Sequence, residues 1–225
     1  MKKIYAIVLS AALVLLGTQA KAQLSVGAGY LNSTETTTVT NSNNSSNAGL
    51  NGFYIGGQYN LPIVAGLAVA PGLYVDMLFG GSKTGTAGTV FGIPVSANGS
   101  VKYTELALNL PVNLNYTFHV GSDFDVFLYA GPVLQFGLLS KSQADGKATV
   151  GNFNIGGNGL AESDNYNGDN ANRNPFVVYL GGGAGIQAGA LQVILGYDHS
   201  LTNITKSTNV NLGRSQIKIG VGYAF

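Results

Sequence analysis

Residues 214–225 read RSQIKIGVGYAF, and their polarity alternates one residue at a time. Ser215, Ile217, Ile219, Val221, Tyr223 and Phe225 fall on one side of the alternation; Arg214, Gln216, Lys218, Gly220, Gly222 and Ala224 fall on the other. A β-strand turns successive side chains to opposite faces, whereas helical spacing would scatter these apolar positions round the whole circumference. The stretch therefore reads as a strand with one apolar face and one face that is polar or small.

Working outward, residues 103–118 repeat the pattern. Leu106, Leu108, Leu110, Val112, Leu114, Tyr116 and Phe118 stand against Tyr103, Glu105, Ala107, Asn109, Pro111, Asn113, Asn115 and Thr117. Six further segments fit the template less cleanly, at 23–31, 51–61, 66–80, 124–138, 175–188 and 190–200. Eight strands is an even number, as bacterial barrels require. The connections alternate long and short: 32–50, 81–100, 139–174 and 201–213 against 62–65, 119–123 and 189. Outer-membrane barrels show this asymmetry, with short periplasmic turns and long external loops, so both termini are expected in the periplasm.

Aromatic placement supplies an independent test. Tyr30, Phe53, Phe79, Phe136, Phe176 and Tyr197 fall next to the long connections, while Tyr59, Tyr116, Phe118, Phe124, Tyr223 and Phe225 fall next to the short ones. Two such rows match the girdles that barrels carry where lipid meets water; a soluble β-sandwich would bury its aromatics mid-strand. An open strand edge in hydrocarbon would leave N–H and C=O groups unsatisfied, so the first strand must pair with the last. The expected fold is all-β, an eight-stranded antiparallel up-and-down transmembrane β-barrel over residues 23–225, sited in the outer membrane.

Composition agrees. Charged residues make up 9% of the chain, against ~25% in an ordinary soluble domain, and a water-facing surface with so few charges would be poorly solvated. The N-terminus has a charged start at Lys2 and Lys3, an apolar run from Ile4 to Leu16, and an Ala20-Lys21-Ala22 exit. That layout predicts a secretory signal peptide over 1–22, cleaved before Gln23, because the run falls short of the ~20 residues a spanning helix needs. Without Lys2, Lys3 and Lys21, eight basic residues face ten acidic ones. No basic patch exists to attract nucleic acid. Cysteine is absent, which excludes disulfides and thiolate metal sites.

The chain resembles the small outer-membrane β-barrels of the PorT-like and OmpX-like type, common in the Bacteroidota. The resemblance rests on Tyr103-Thr104-Glu105-Leu106 leading to Leu110-Pro111-Val112, on Tyr129-Ala130-Gly131-Pro132, and on the terminal Gly220-Val221-Gly222-Tyr223-Ala224-Phe225. It covers essentially the whole mature chain and implies a surface or assembly-related barrel without an assigned ligand. It also implies that Tyr223 and Phe225 belong to the signal read by the barrel-insertion machinery, with periplasmic chaperones as partners during biogenesis.

Small eight-stranded barrels have interiors that side chains fill. The inward charges are Asp76, Glu105, Asp198, Arg214 and Lys218, and counting from a hairpin near 208 sets Asp198 roughly opposite Lys218. Isolated charges in such a lumen are costly, so these five are expected to form one polar network that plugs the barrel. Inward glycines, among them Gly27, Gly29, Gly56, Gly72, Gly220 and Gly222, leave room for the longer side chains. Asp198-His199-Ser200 invites a hydrolase reading, but adjacent strand residues point to opposite faces and cannot assemble a triad by themselves. His119 sits by a short turn at the other end. Ser33 through Ser46 is a polar, low-complexity stretch expected to be a solvated loop. Asp164 through Asn170 faintly resembles a calcium loop, yet with Gly168 at the glycine position Ser163 and Asn174 replace the opening Asp and closing Glu. No catalytic residue, metal or cofactor is assigned. The expected role is structural or surface-interacting, with the outer-membrane lipid around the wall and a surface ligand met through the long loops; the alternative is a narrow pore for ions or small solutes.

Overall fold

The computed structural model describes residues 23–40, 45–90, 93–121, 124–150, 153–167 and 171–225. The signal-peptide reading of 1–22 lies outside the described residues, as do 41–44 of the first long connection and 168–170 of the third. The strands are β1 (Gln23–Val39), β2 (Ser45–Val64), β3 (Leu67–Val90), β4 (Ile93–Val120), β5 (Phe124–Val150), β6 (Phe153–Asp164), β7 (Phe176–Ala188), β8 (Leu191–Ser200) and β9 (Val210–Ala224).

Eight of them close into a ring of antiparallel neighbours, β1–β2–β3–β4–β5–β7–β8–β9 and back to β1. The seam between first and last strands runs from Ser25↔Ala224 to Val39↔Val210. Closure matters because it gives backbone donors and acceptors in the wall partners without help from solvent. Three glycines with φ of 76°, 74° and 59° make the tight turns, Gly66 after β2, Gly121 after β4 and Gly189 after β7. These are left-handed conformations that a side chain would disfavour. The first turn falls at residues 65–66 rather than 62–65, because β2 continues to Val64.

Polarity marks where the strands leave the membrane, but not where they end. Residues 81–90 of β3 and 93–102 of β4 continue the same ladder through Val90↔Ile93, and β5 runs on to Val150. The connections read as loops over 81–100 and 139–174 are thus largely strand. Thr, Val and Ser there suit an extended backbone whether or not one face is buried. β6 is the strand the eight-segment reading missed; it pairs with the upper part of β5, from Lys141↔Asp164 to Val150↔Phe153, outside the ring. Loop one is shortened in the same way, since Ser33 to Val39 belongs to β1 and Ser45 to Leu50 to β2. In β5 the pairing with β4 slips between Leu139 and Gly137. Leu138 is the extra residue of this bulge, and beyond it the outward side passes from even to odd positions.

The wall is apolar on the outside and polar on the inside. Ile219 is 53% exposed and Leu195 55%, while Arg214 is 1% exposed. A water-soluble protein would reverse those values. Among the described residues, two buried apolar clusters line the lumen from different sets of strands. One joins Leu31, Leu50, Tyr54 and Leu78, and the other joins Val133, Val177, Tyr179, Leu212 and Ile204. Ile204 comes from the β8–β9 connection, which folds into the mouth of the ring.

Candidate functional site

Among the described residues, two ion clusters occupy the lumen, at different heights. In the upper one, nearer the long connections, Arg214 of β9 donates to Glu35 of β1 from Nε (3.1 Å) and Nη2 (2.5 Å). It also donates to Glu105 of β4 from Nη1 (2.7 Å) and Nη2 (2.8 Å). Arg173, from the β6–β7 connection, reaches down to Glu35 through Nη1 (2.8 Å) and Nη2 (2.6 Å) and approaches Glu105 at 3.5 Å. Its guanidinium lies 4.6 Å from the Tyr103 ring centroid, and the Tyr103 hydroxyl donates to Glu105. Two guanidinia and two carboxylates balance. Planar forks that each meet a carboxylate edge give the geometry in which buried pairs recover their desolvation cost.

The lower cluster holds Asp76 of β3, Asp198 of β8 and Lys218 of β9. Lys218 Nζ lies 2.8 Å from Asp198 Oδ2 and 3.4 Å from Asp76 Oδ2. The strand register sets Lys218 opposite Gly196 and Asp198 opposite Gln216, so the pair is diagonal rather than directly across. Two carboxylates share one ammonium here, and neither Asp76 oxygen has a hydrogen-bond partner of good geometry among the described residues.

The five residues expected to form one network, Asp76, Glu105, Asp198, Arg214 and Lys218, are therefore divided between two clusters. Glu35 and Arg173 were missed. Glu35 sits in a Ser/Thr-rich run that reads as loop, and Arg173 lies in a connection with no periodic signal. An odd residue in β1, Glu35 does continue the inward set of Ser25, Leu31 and Ser33, which is the signal that could have found it.

Below the clusters the lumen opens. A cavity of about 70 Å³ is bounded by Tyr54, Tyr74, Tyr129, Asn113, Asp198 and Lys218, among others. A second, of about 280 Å³, lies at the short-turn end and is lined by Asn60, Asn115, His119, Asp125 and Gln187, among others. Gln58, Phe127 and Gln192 line both. Glycine makes the space: a Cβ at Gly196 would strike the Tyr129 hydroxyl and one at Gly220 the Tyr54 hydroxyl.

The histidines stand apart from these clusters. His119 Nδ1 is 2.6 Å from Asp125 at the short-turn end. On the outer face, His199 Nδ1 is 2.9 Å from the Ser215 hydroxyl, while Ser200 faces inward and accepts the Arg214 N–H at 2.8 Å. Asp164 is occupied by its own turn, accepting from the Tyr166 and Asn167 backbones and from Asn167 Nδ2. The Asn167 side chain and these N–H groups hold its pKa below the usual carboxylate range. Nearby, Lys141 pairs with Glu162 at 2.7 Å, both exposed; such a pair adds little stability.

A model of the outer membrane protein beta-barrel domain matches residues 18–206. The chain belongs to that family. The wall is accordingly transmembrane, and its exposed aliphatic residues meet the lipid of the outer membrane. Among solved structures, the chain is similar to Ail, the attachment invasion locus protein of Yersinia pestis, at 11% identity and TM-score 0.39, covering 91% of this chain and 99% of that one. It is similar to Neisserial surface protein A at 14% and 0.41, covering 90% and 97%. It is also similar to the outer membrane protease OmpT from Escherichia coli at 8% and 0.37, covering 92% and 98%. A comparison with curated proteins returns no match.

Removing the lower cation tests how this barrel tolerates buried charge. Lys218→Met leaves Asp76 and Asp198 without their ammonium partner, and a loss of about 1–3 kcal/mol is expected. Urea unfolding of the refolded protein measures it; an unchanged midpoint would remove Lys218 from the structural ledger.

Proposed function

We propose that this barrel anchors a surface-display module. In this reading the β3–β4–β5–β6 and β1–β2 extensions stand outside the cell and contact a surface ligand, while both termini and the three glycine turns face the periplasm. The lumen is closed and the protein is not an enzyme. Outer-membrane lipid surrounds the wall, and the barrel-assembly machinery with periplasmic chaperones delivers the chain, reading Tyr223 and Phe225.

The observation that carries this reading is the filled outer half of the lumen. Arg214, Glu105, Glu35, Arg173, Tyr179 and Ile204 occupy it from four ring strands and two connections. A charge-balanced, hydrogen-bonded layer resists opening because separating its members strands charges in low dielectric. A narrow pore is the second reading, favoured by the cavities at the short-turn end. Single-channel recording of the refolded protein decides between them. Wild type and Arg173→Ala are both expected to stay silent, since Arg214 and the buried apolar clusters remain; steps of open-pore size in wild type would replace display by conduction. Protease added to whole cells should cut only within the long connections. Cleavage confined to the glycine turns would reverse the orientation.

A further inference from the structure

The carboxylates and lysines of residues 23–120, the span of β1 to β4, are Glu35, Asp76, Glu105, Lys83 and Lys102. Glu35, Asp76 and Glu105 are all buried in the lumen. Lys83 and Lys102 are exposed on the outer face, because each continues the outward alternation of its strand. Met77, Phe79 and Gly81 lead to Lys83 on β3, and Leu106 and Thr104 lead to Lys102 on β4. Strand alternation has thus sorted charge by sign, and this arc of the outer wall carries two cations and no carboxylate. The acids of the following strands do not neutralise it. Asp145 of β5 stands opposite Ser100 without an ion pair to either lysine, and Glu162 of β6 is taken by Lys141.

We infer that the arc is a docking site for the anionic phosphate headgroup of a membrane lipid, in the leaflet at the long-connection end. Depth selects a lipid as the occupant. Phe79, in the girdle at that end, is directly opposite Thr104. Lys102 lies two residues past Thr104, about 7 Å along a tilted strand, and the polar layer outside the hydrocarbon is about 5–7 Å deep. Lys83 is farther out, but a lysine stem can lie along the wall while its ammonium turns toward charge.

Between the lysines the wall is notched. Lys102 faces Gly81 across the β3–β4 ladder, and Gly49 is the next residue of β2 after the Leu50↔Gly80 pair. A Cβ at Gly49 would meet nothing within 4 Å. Asn51 bounds the notch from below, opposite Phe79. Its Oδ1 already accepts from the Tyr30 hydroxyl and from Asn32 Nδ2 (2.9 Å), which leaves its NH₂ as the group to offer a ligand. Two ammonium groups and an amide N–H are donors, and the oxygens of an ionised phosphate accept. A zwitterionic headgroup carries its own cation and gains less from the lysines.

The test adds phosphatidylglycerol or phosphatidylcholine to the refolded protein in detergent micelles and counts the retained lipid by native mass spectrometry. Micelles remove any dependence on which way the barrel faces. Phosphatidylglycerol is expected to be retained in preference. Lys83→Gln and Lys102→Gln should each lower its retention about fivefold. Gly49→Leu, which removes no charge, should lower it too by filling the notch. Lys147→Gln/Lys206→Gln takes charge from β5 and from the β8–β9 connection instead, and should leave retention unchanged. All these positions are exposed, and the heat-induced gel shift verifies that each variant is folded. Equal retention of the two lipids, lysine or Gly49 variants that match wild type, or a control variant that falls as far as the lysine variants would each overturn the assignment.

Discussion

Arg214→Met is expected to destabilise the folded barrel by about 3–5 kcal/mol, the largest effect of any lumen substitution. Arg214 is buried and makes four hydrogen bonds to two carboxylates. Its removal leaves Glu35 and Glu105 facing each other with Arg173 as their one remaining cation. Breaking a buried pair from one side costs more than the pair was worth, because the surviving charge stays desolvated. The double variant Arg214→Met/Glu105→Gln restores neutrality, with Glu35 and Arg173 still forked together, and should recover much of the loss. Equilibrium unfolding in urea, read alongside the heat-induced shift on gel electrophoresis, measures both. A single variant within about 1 kcal/mol of wild type, or a double variant worse than the single, would show that the ion layer does not bear the stability assigned to it.

The second large effect lies on the opposite face of the wall. Leu110 points outward on β4 midway between Thr104, which pairs with Phe79 of one girdle, and Tyr116 of the other. Leu110→Arg should cost about 2–4 kcal/mol near the bilayer midplane, and Thr104→Arg at the rim about 0–1 kcal/mol. Both side chains share one strand and one face, so the comparison sets a position near the midplane against one at the rim. Folding into lipid vesicles should show the difference, and equal costs at the two positions would mean that the outer wall does not meet hydrocarbon.

Much of this architecture was legible because strand alternation is local. The run from Arg214 to Phe225 states which side chains face in, and the structure places Arg214, Gln216 and Lys218 inside with Ile217 and Ile219 outside. The eight strands of the ring, their closure and the two aromatic rows follow from repeating that reading. Strand ends did not follow. Val90, Ile93 and Val150 lie in ladders that outlast the change of polarity, since backbone pairing beyond the membrane needs only a neighbouring strand. The bulge at Leu138 was equally silent, an extra residue being visible only against its partner.

The sequence by itself determined which side chains face in along the cleanly alternating strands and the closure of the sheet, because both come from a two-residue period and from the cost of an open edge in lipid. Only the tertiary structure decided which charges meet. Glu35 finds Arg173 across 138 residues and Arg214 across 179, by way of the stagger of strands around the ring and the descent of a connection into its mouth. Those distances are set by three-dimensional closure, which no local pattern encodes, and they divide one expected network into an upper layer of two carboxylates and two guanidinia and a lower one in which two carboxyl groups meet one ammonium.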